Sequence, residues 1–218
     1  MGGLDQVERE VVGCFACPRL VAWREKVAAE KVARFASWDY WGRPVPGFGD
    51  PDAHLLIVGL APAAHGANRT GRVFTGDRSG DFLFASLFRT GYANQPTSVH
   101  ADDGLVLDGC YVTATVKCAP PANKPTPSER AACRPFLERE LQGLPRLRVV
   151  VALGQLAWDG VVRHHALRPK PRFAHGAEVA LPDESTLVGS YHVSQQNTFT
   201  GVLTEPMLDA IFARARAI

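Results

Sequence analysis

HLLIVGLAPAAHGANRTGRVFTG, residues 54–76, decides the fold. Its first part, 54–60, is a near-continuous apolar run, as in a strand of a parallel sheet covered on both faces. Glycines and small residues follow, with His65, Asn68 and Arg69 as possible base-edge or phosphate readers and no carboxylate before Asp77. A strand that breaks into such a loop and then a helix is the repeating unit of an α/β fold.

That unit recurs along the chain. CYVTATV, 110–116, RVVVALG, 148–154, and STLVGSYH, 185–192, read as three further core strands. Helices are expected at 4–12, 19–35, 79–90, 127–142, over QLAWDGVVRHH after the third strand, and at 202–216. Ser79 is the expected N-cap of the helix at 79–90, and Pro127, Ser128 and Glu129 supply helix-start chemistry. Residues 37–52, rich in proline, glycine and aromatics, read as an irregular loop. The expectation is a three-layer α/β/α sandwich around a mainly parallel four-stranded sheet, folded as one domain over 1–218 with residues 1–52 as a helical arm. In such sheets ligands bind beyond the carboxyl ends of the strands. The segments 59–78, 117–127, 154–156 and 192–201 should therefore gather on one edge.

Hydrophobic residues make up 46% of the 218-residue chain and charged residues 21%, which indicates a globular protein and excludes disorder. No run is long enough for a membrane span and the start is not a secretory signal, so the chain is expected in the cytoplasm, as a monomer. Net charge is +2, yet residues 117–172 carry eleven Lys and Arg against four Asp and Glu. A basic block suggests a polyanion such as nucleic acid, although a solvated surface has the same composition.

An odd count of five cysteines argues against a disulfide framework. Cys14-x2-Cys17 and the distant pair Cys118 and Cys133 could place four thiolates around zinc or a [4Fe–4S] cluster, and unligated core cysteines are the third possibility. Cys110, at a strand start, reads as a small buried hydrophobe. A cluster so placed would flank the crevice as a structural tie, not as a catalytic metal.

Residues 59–83, YVTATVKCAPPANKPTP at 111–127 and YHVSQQNTFTG at 191–201 together resemble the motifs of the uracil-DNA glycosylase superfamily, in order, from Cys14 to about Gly201. The iron–sulfur families are the nearest, with both cysteine pairs where those families hold a [4Fe–4S] cluster. The departures are specific. Leu60 stands where family 4 has a glutamate, Ala63 where the best-known family has a catalytic aspartate, and Ala114 where family 4 has an asparagine that reads uracil. A family 4 His-Pro-Ser becomes His192-Val193-Ser194. Together these resemble family 5, the type B enzymes of thermophilic bacteria and archaea, known to remove uracil and, more loosely, bases such as hypoxanthine.

The resemblance implies a base flipped out of DNA and cleaved from its sugar. Phe74 would stack on that base in a pocket with Gly59, Ala63 and Ala114; ordinary core is its other reading. His192 would hydrogen-bond the departing base's oxygen. Asp77, the nearest carboxylate in the loop, would orient water or stabilise the cationic sugar, unless it merely serves the following helix amides, a task assigned first to Asp81. Asn123 would contact base or water, or be a turn residue. Arg69, Arg72, Lys117 and Lys124 would meet phosphates, and Gln195, Gln196 and Asn197 would enter the minor groove. A nucleotide-binding protein is disfavoured, because the loop fits neither a Walker A motif nor GxGxxG. A non-catalytic iron–sulfur or zinc nucleic-acid-binding module is the remaining alternative.

Overall fold

The computed structural model describes residues 3–218. Six strands form one sheet in the order β1-β3-β2-β4-β6-β5. Four of them are the expected parallel core: β2 (Leu55–Gly59), β3 (Cys110–Ala114), β4 (Val149–Leu153) and β6 (Thr186–Ser190). Two short antiparallel strands, β1 (Phe48–Gly49) and β5 (Glu178–Ala180), extend the edges. They fall outside the four-strand expectation because two or three half-exposed residues leave no apolar run to read.

Side chains alternate between the faces of the core strands. Leu55, Ile57, Val112, Val149 and Val151 pack with Leu83, Phe84 and Leu87 of α4 (Arg78–Arg89) and Leu208, Ile211 and Phe212 of α8 (Glu205–Ala217). Leu56, Val58, Val150, Ala152 and Leu187 pack with Leu137 and Leu141 of α5 (Pro127–Gln142) and Trp158 and Val161 of α6 (Gln155–His164). The result is helices over both faces of a mixed sheet. None of the described helices is long and apolar enough to cross a membrane.

The N-terminal arm supplies α1 (Leu4–Val12) and α2 (Pro18–Glu30). The second helix stops five residues short of the expected end. Lys31 takes a left-handed φ of 53°, which ends the α-helix, and Ala33–Phe35 forms a separate 3-10 turn. Two further short helices, α3 (Ala67–Thr70) and α7 (Gln195–Phe199), lie within the loops after β2 and β6.

Because the four core strands are parallel and in register, Gly59, Ala114, Leu153 and Ser190 end along one edge. The loops that follow them converge there, as anticipated.

Candidate active site

The loop after β2 is fixed from within. Arg72 is buried and donates to Ser98 Oγ and both oxygens of Asp103 at 2.8–2.9 Å, and to Thr75 Oγ1 at 2.9 Å. Thr75 Oγ1 in turn lies 2.6 Å from Ser98 Oγ. This network holds the intervening Phe74 at a φ of 52°, a conformation that costs a bulky residue about 1–3 kcal/mol and is found mostly at functional positions. The ring lies over Gly59, where a Cβ would stand 2.6 Å from Phe74 Cζ. Only glycine at the end of β2 admits the ring.

Asp77 follows at the start of α4. It is the N-cap, its Oδ1 accepting from Gly80 N at 3.0 Å. Asp77, not Ser79 or Asp81, is therefore the capping residue. Its other oxygen, Oδ2, faces Gly66, where a Cβ would sit 2.0 Å away. Burial pushes the Asp77 carboxyl up, against the lowering effect of the Gly80 and Ser79 amides.

At the end of β6, His192 packs against the β4–α6 turn at Gly154. Its carbonyl accepts from Asn197 Nδ2 at 2.8 Å, and Ser194 caps α7. Burial lowers the imidazole below its ordinary value, so the ring is neutral at physiological pH.

Phe74, Asp77, Asn123 and His192 line one cleft of about 560 Å³, walled also by Ala61 and Ala63. Phe74 and His192, 118 positions apart in the chain, thus share a cavity. Asn123 comes from the turn after β3, at a φ of 56°, with its side chain exposed. Gln195 and Gln196 stand exposed at the mouth. Asn197 does not; its amide holds the His192 carbonyl. Gly59 lies under the Phe74 ring. Ala114 is 1% exposed within the core and does not face the cleft.

Three of the four expected phosphate contacts need correction. Lys117 is buried, its Nζ 2.6 Å from Glu140 Oε2 and 2.5 Å from Thr113 Oγ1. Arg72 is the loop brace described above. Arg69 is 3% exposed, its guanidinium between the rings of Phe35 and Trp38 at 3.8 and 4.0 Å from their centroids. Lys124 alone remains on the surface. Two of the cations that stand beside the cleft, Arg34 and Arg78, were not anticipated. A second cavity of about 700 Å³ adjoins it and is lined by Arg34, Trp38, His65, Arg69, Asp77 and Arg78. All three arginines lie outside the basic block 117–172. The SWDYW stretch, 37–41, was the available signal, since aromatics in an irregular loop need a surface to cover. His65 Nδ1 sits 3.1 Å from the Tyr40 hydroxyl, and Asn68 is buried, its Nδ2 donating to the Arg24 carbonyl.

The four cysteines come together as expected. Cys14, Cys17, Cys118 and Cys133 line one cavity between α2, the end of β3 and α5. Two donors point at their sulfurs: Arg24 Nη1 at 3.0 Å from Cys118 Sγ, and Lys117 N at 3.2 Å from Cys133 Sγ. Among the described residues no three of His, Cys, Asp or Glu close on a single point as a mononuclear ion requires. Cys110 is buried in the core and stands apart.

Comparison with known proteins bears on this arrangement. Residues 46–216 match the family model described as the uracil DNA glycosylase superfamily. The chain is 52% identical to the type-5 uracil-DNA glycosylase of Mycobacterium tuberculosis, over all of this chain and 82% of that protein. It is likewise 52% identical to the type-5 uracil-DNA glycosylase of Thermus thermophilus, over 95% of this chain and 94% of that one. Similarity to the type-4 enzyme of Archaeoglobus fulgidus is lower, 30% over 72% of this chain and 62% of the relative.

Proposed function

The chain belongs to the uracil-DNA glycosylase superfamily, and on that premise we propose how its cleft holds and releases a base. The protein is a monofunctional DNA glycosylase that excises uracil in DNA repair. The observation that carries the residue roles is the meeting of Phe74, Asp77 and His192 on one cleft.

Breaking the N-glycosidic bond leaves positive charge on the sugar and negative charge on the base. Phe74 stacks on the extruded base, held by its strained backbone. The neutral His192 donates a hydrogen bond to the base oxygen on which charge develops. Asp77 stabilises the cationic sugar and orients the water that adds to it. Asn123 contacts the base edge. Gln195 and Gln196 meet the DNA strand at the mouth, and Lys124 meets a phosphate. All these groups come from one chain, so a monomer suffices.

Around the base the wall is largely Ala61, Ala63 and Ala122, with His192 and Asn123 as the polar readers. A pocket of that kind discriminates between related bases by only about 10–200-fold. Hypoxanthine-containing DNA is therefore a second substrate. Incubation of matched uracil and hypoxanthine oligonucleotides with purified protein, scored as abasic sites, should show both cleaved within that range. Absence of hypoxanthine release at enzyme excess would refute the loose pocket.

The cysteine cavity supports a [4Fe–4S] cluster, because four thiols line it and two N–H groups already face sulfur. Cys14, Cys17, Cys118 and Cys133 would hold it. When bound, it ties the N-terminal arm to β3 and α5. Replacing Cys133 by serine should bleach the brown chromophore and lower the thermal midpoint, since α2 carries Arg24 and through it the Asn68 contact to α3. An unchanged visible spectrum would remove Cys133 from the ligand set.

A further inference from the structure

The outer cavity has no occupant in the mechanism above, yet it adjoins the base cleft. The two share Asp77 and Gln195 as walls. Its floor is Arg69. Two of that guanidinium's nitrogens are used, Nε on the His65 carbonyl at 2.8 Å and Nη2 on the Gly76 carbonyl at 2.8 Å, and Nη1 has no partner. The flanking Phe35 and Trp38 rings hold it rigidly. Arg34 and Arg78 stand exposed at the rim, Arg34 4.6 Å from the Phe35 ring centroid and Arg78 5.5 Å from that of Phe199. Arg72, in the same loop, is neutralised by Asp103. Among the described residues Arg34, Arg69 and Arg78 make no such pair, and only Asp77 and Asp81 oppose them in the cavity wall.

Three arginines around one cavity, one of them buried and immobilised, repel one another until an anion enters. A preorganised cation in a partly desolvated wall is worth more to that anion than a mobile surface lysine. The two cavities share Asp77 and Gln195, so one ligand spanning both would carry its anionic part here and its base in the inner cleft. We propose that this outer cavity seats the deoxyribose and backbone phosphodiester of the flipped nucleotide, so that the glycosidic bond crosses the boundary beside Asp77. Arg34 and Arg78 clamp the non-bridging oxygens from the rim, and Arg69 supplies fixed positive potential from beneath. Trp38 and Phe35 are positioning residues that hold Arg69. The arrangement divides labour. The inner cleft reads the base and the outer cavity holds its backbone irrespective of which base is attached. The inference rests on the inner cleft being the base site.

The test uses the intact protein and a short single-stranded oligonucleotide carrying a tetrahydrofuran abasic analogue, which fills the outer cavity and leaves the inner one empty. Affinity is measured against salt concentration. Arg34→Gln and Arg78→Gln are both exposed substitutions that break no ion pair, so folding is not at stake. Each should weaken binding between about three- and tenfold and reduce the slope of log affinity against log salt by about one. Arg146→Gln, exposed in the loop that enters β4 at the opposite edge of the sheet, should leave that slope at the parent value. Parent slopes in both rim variants would overturn the proposal. The base-site reading fails separately, if the parent protein releases no uracil; with uracil release intact and the slopes unmoved, only the phosphate seat is lost.

Discussion

Asp77→Asn is expected to lower kcat on uracil DNA by about 10²–10⁴-fold while leaving the fold intact. The substitution separates two duties that the structure gives one side chain. As N-cap of α4, Asp77 needs only an oxygen acceptor for Gly80 N, and asparagine caps as well as aspartate does. The thermal midpoint should therefore barely move. What asparagine lacks is the negative charge at the junction of the two cavities. Aspartate there opposes the positive charge that develops on the sugar; its second oxygen faces Gly66 and pairs with no cation, the Arg69 guanidinium acting on it only through space. Asp77→Ala removes both duties and should add a destabilisation of about 1 kcal/mol, read in denaturant unfolding.

The pH dependence follows from the same placement. Burial raises the Asp77 carboxyl above the ordinary carboxylate range. The ionised form is the active one, so kcat rises as pH climbs through that raised value and levels off beyond it. Asp77→Asn should abolish the acidic limb as well as lower the plateau. A variant with the parent plateau would reduce Asp77 to a cap and shift attention to Asn123 as the group that handles water.

Much of this site is legible in the chain because parallel strands announce themselves. HLLIV, CYVTATV and RVVVAL are apolar runs too short for exposed helices, and once they are parallel their trailing loops must share an edge. Phe74 and His192 then become neighbours by topology alone. Charge is where sequence reading failed. Lys117 sits in a KCAPP stretch that looks like surface, but it lies just past the end of a fully buried strand and meets Glu140, 23 residues on, two turns beyond Cys133. Arg72 finds Asp103 across 31 residues. A buried partner that far away leaves no local trace. The reverse error hid Arg34, read into the end of the helix expected at 19–35, and Trp38, in an irregular loop with no periodicity; both acquire meaning only when the arm folds beside α3. A formal charge count over 117–172 therefore says little about the outer cavity, which is lined by arginines from outside that block. The cysteines behaved differently, since a pair just before α2 and a pair spanning the end of β3 and the middle of α5 have few ways to meet other than around one cavity.

His192→Ala should cost about 10²–10³-fold in kcat, the usual consequence of removing one preorganised donor to a developing anion. The backbone has no reason to follow the side chain. Asn197 bonds the His192 carbonyl, not the ring, and the Gly154 turn touches Cβ, which alanine retains. Affinity for DNA should stay within about threefold, because the phosphate-facing arginines and the mouth glutamines are untouched. His192→Gln tests the chemistry against mere bulk, since its amide N–H can replace an imidazole donor and should restore part of the rate. The ring is neutral throughout the physiological range because burial depresses it, so the parent kcat profile should show no inflection near the ordinary imidazole value. An inflection there would mean that a cationic imidazole meets the departing base. Full activity in the alanine variant would move the anion's stabilisation to another polar side chain of the cleft, such as Asn123 or Ser194.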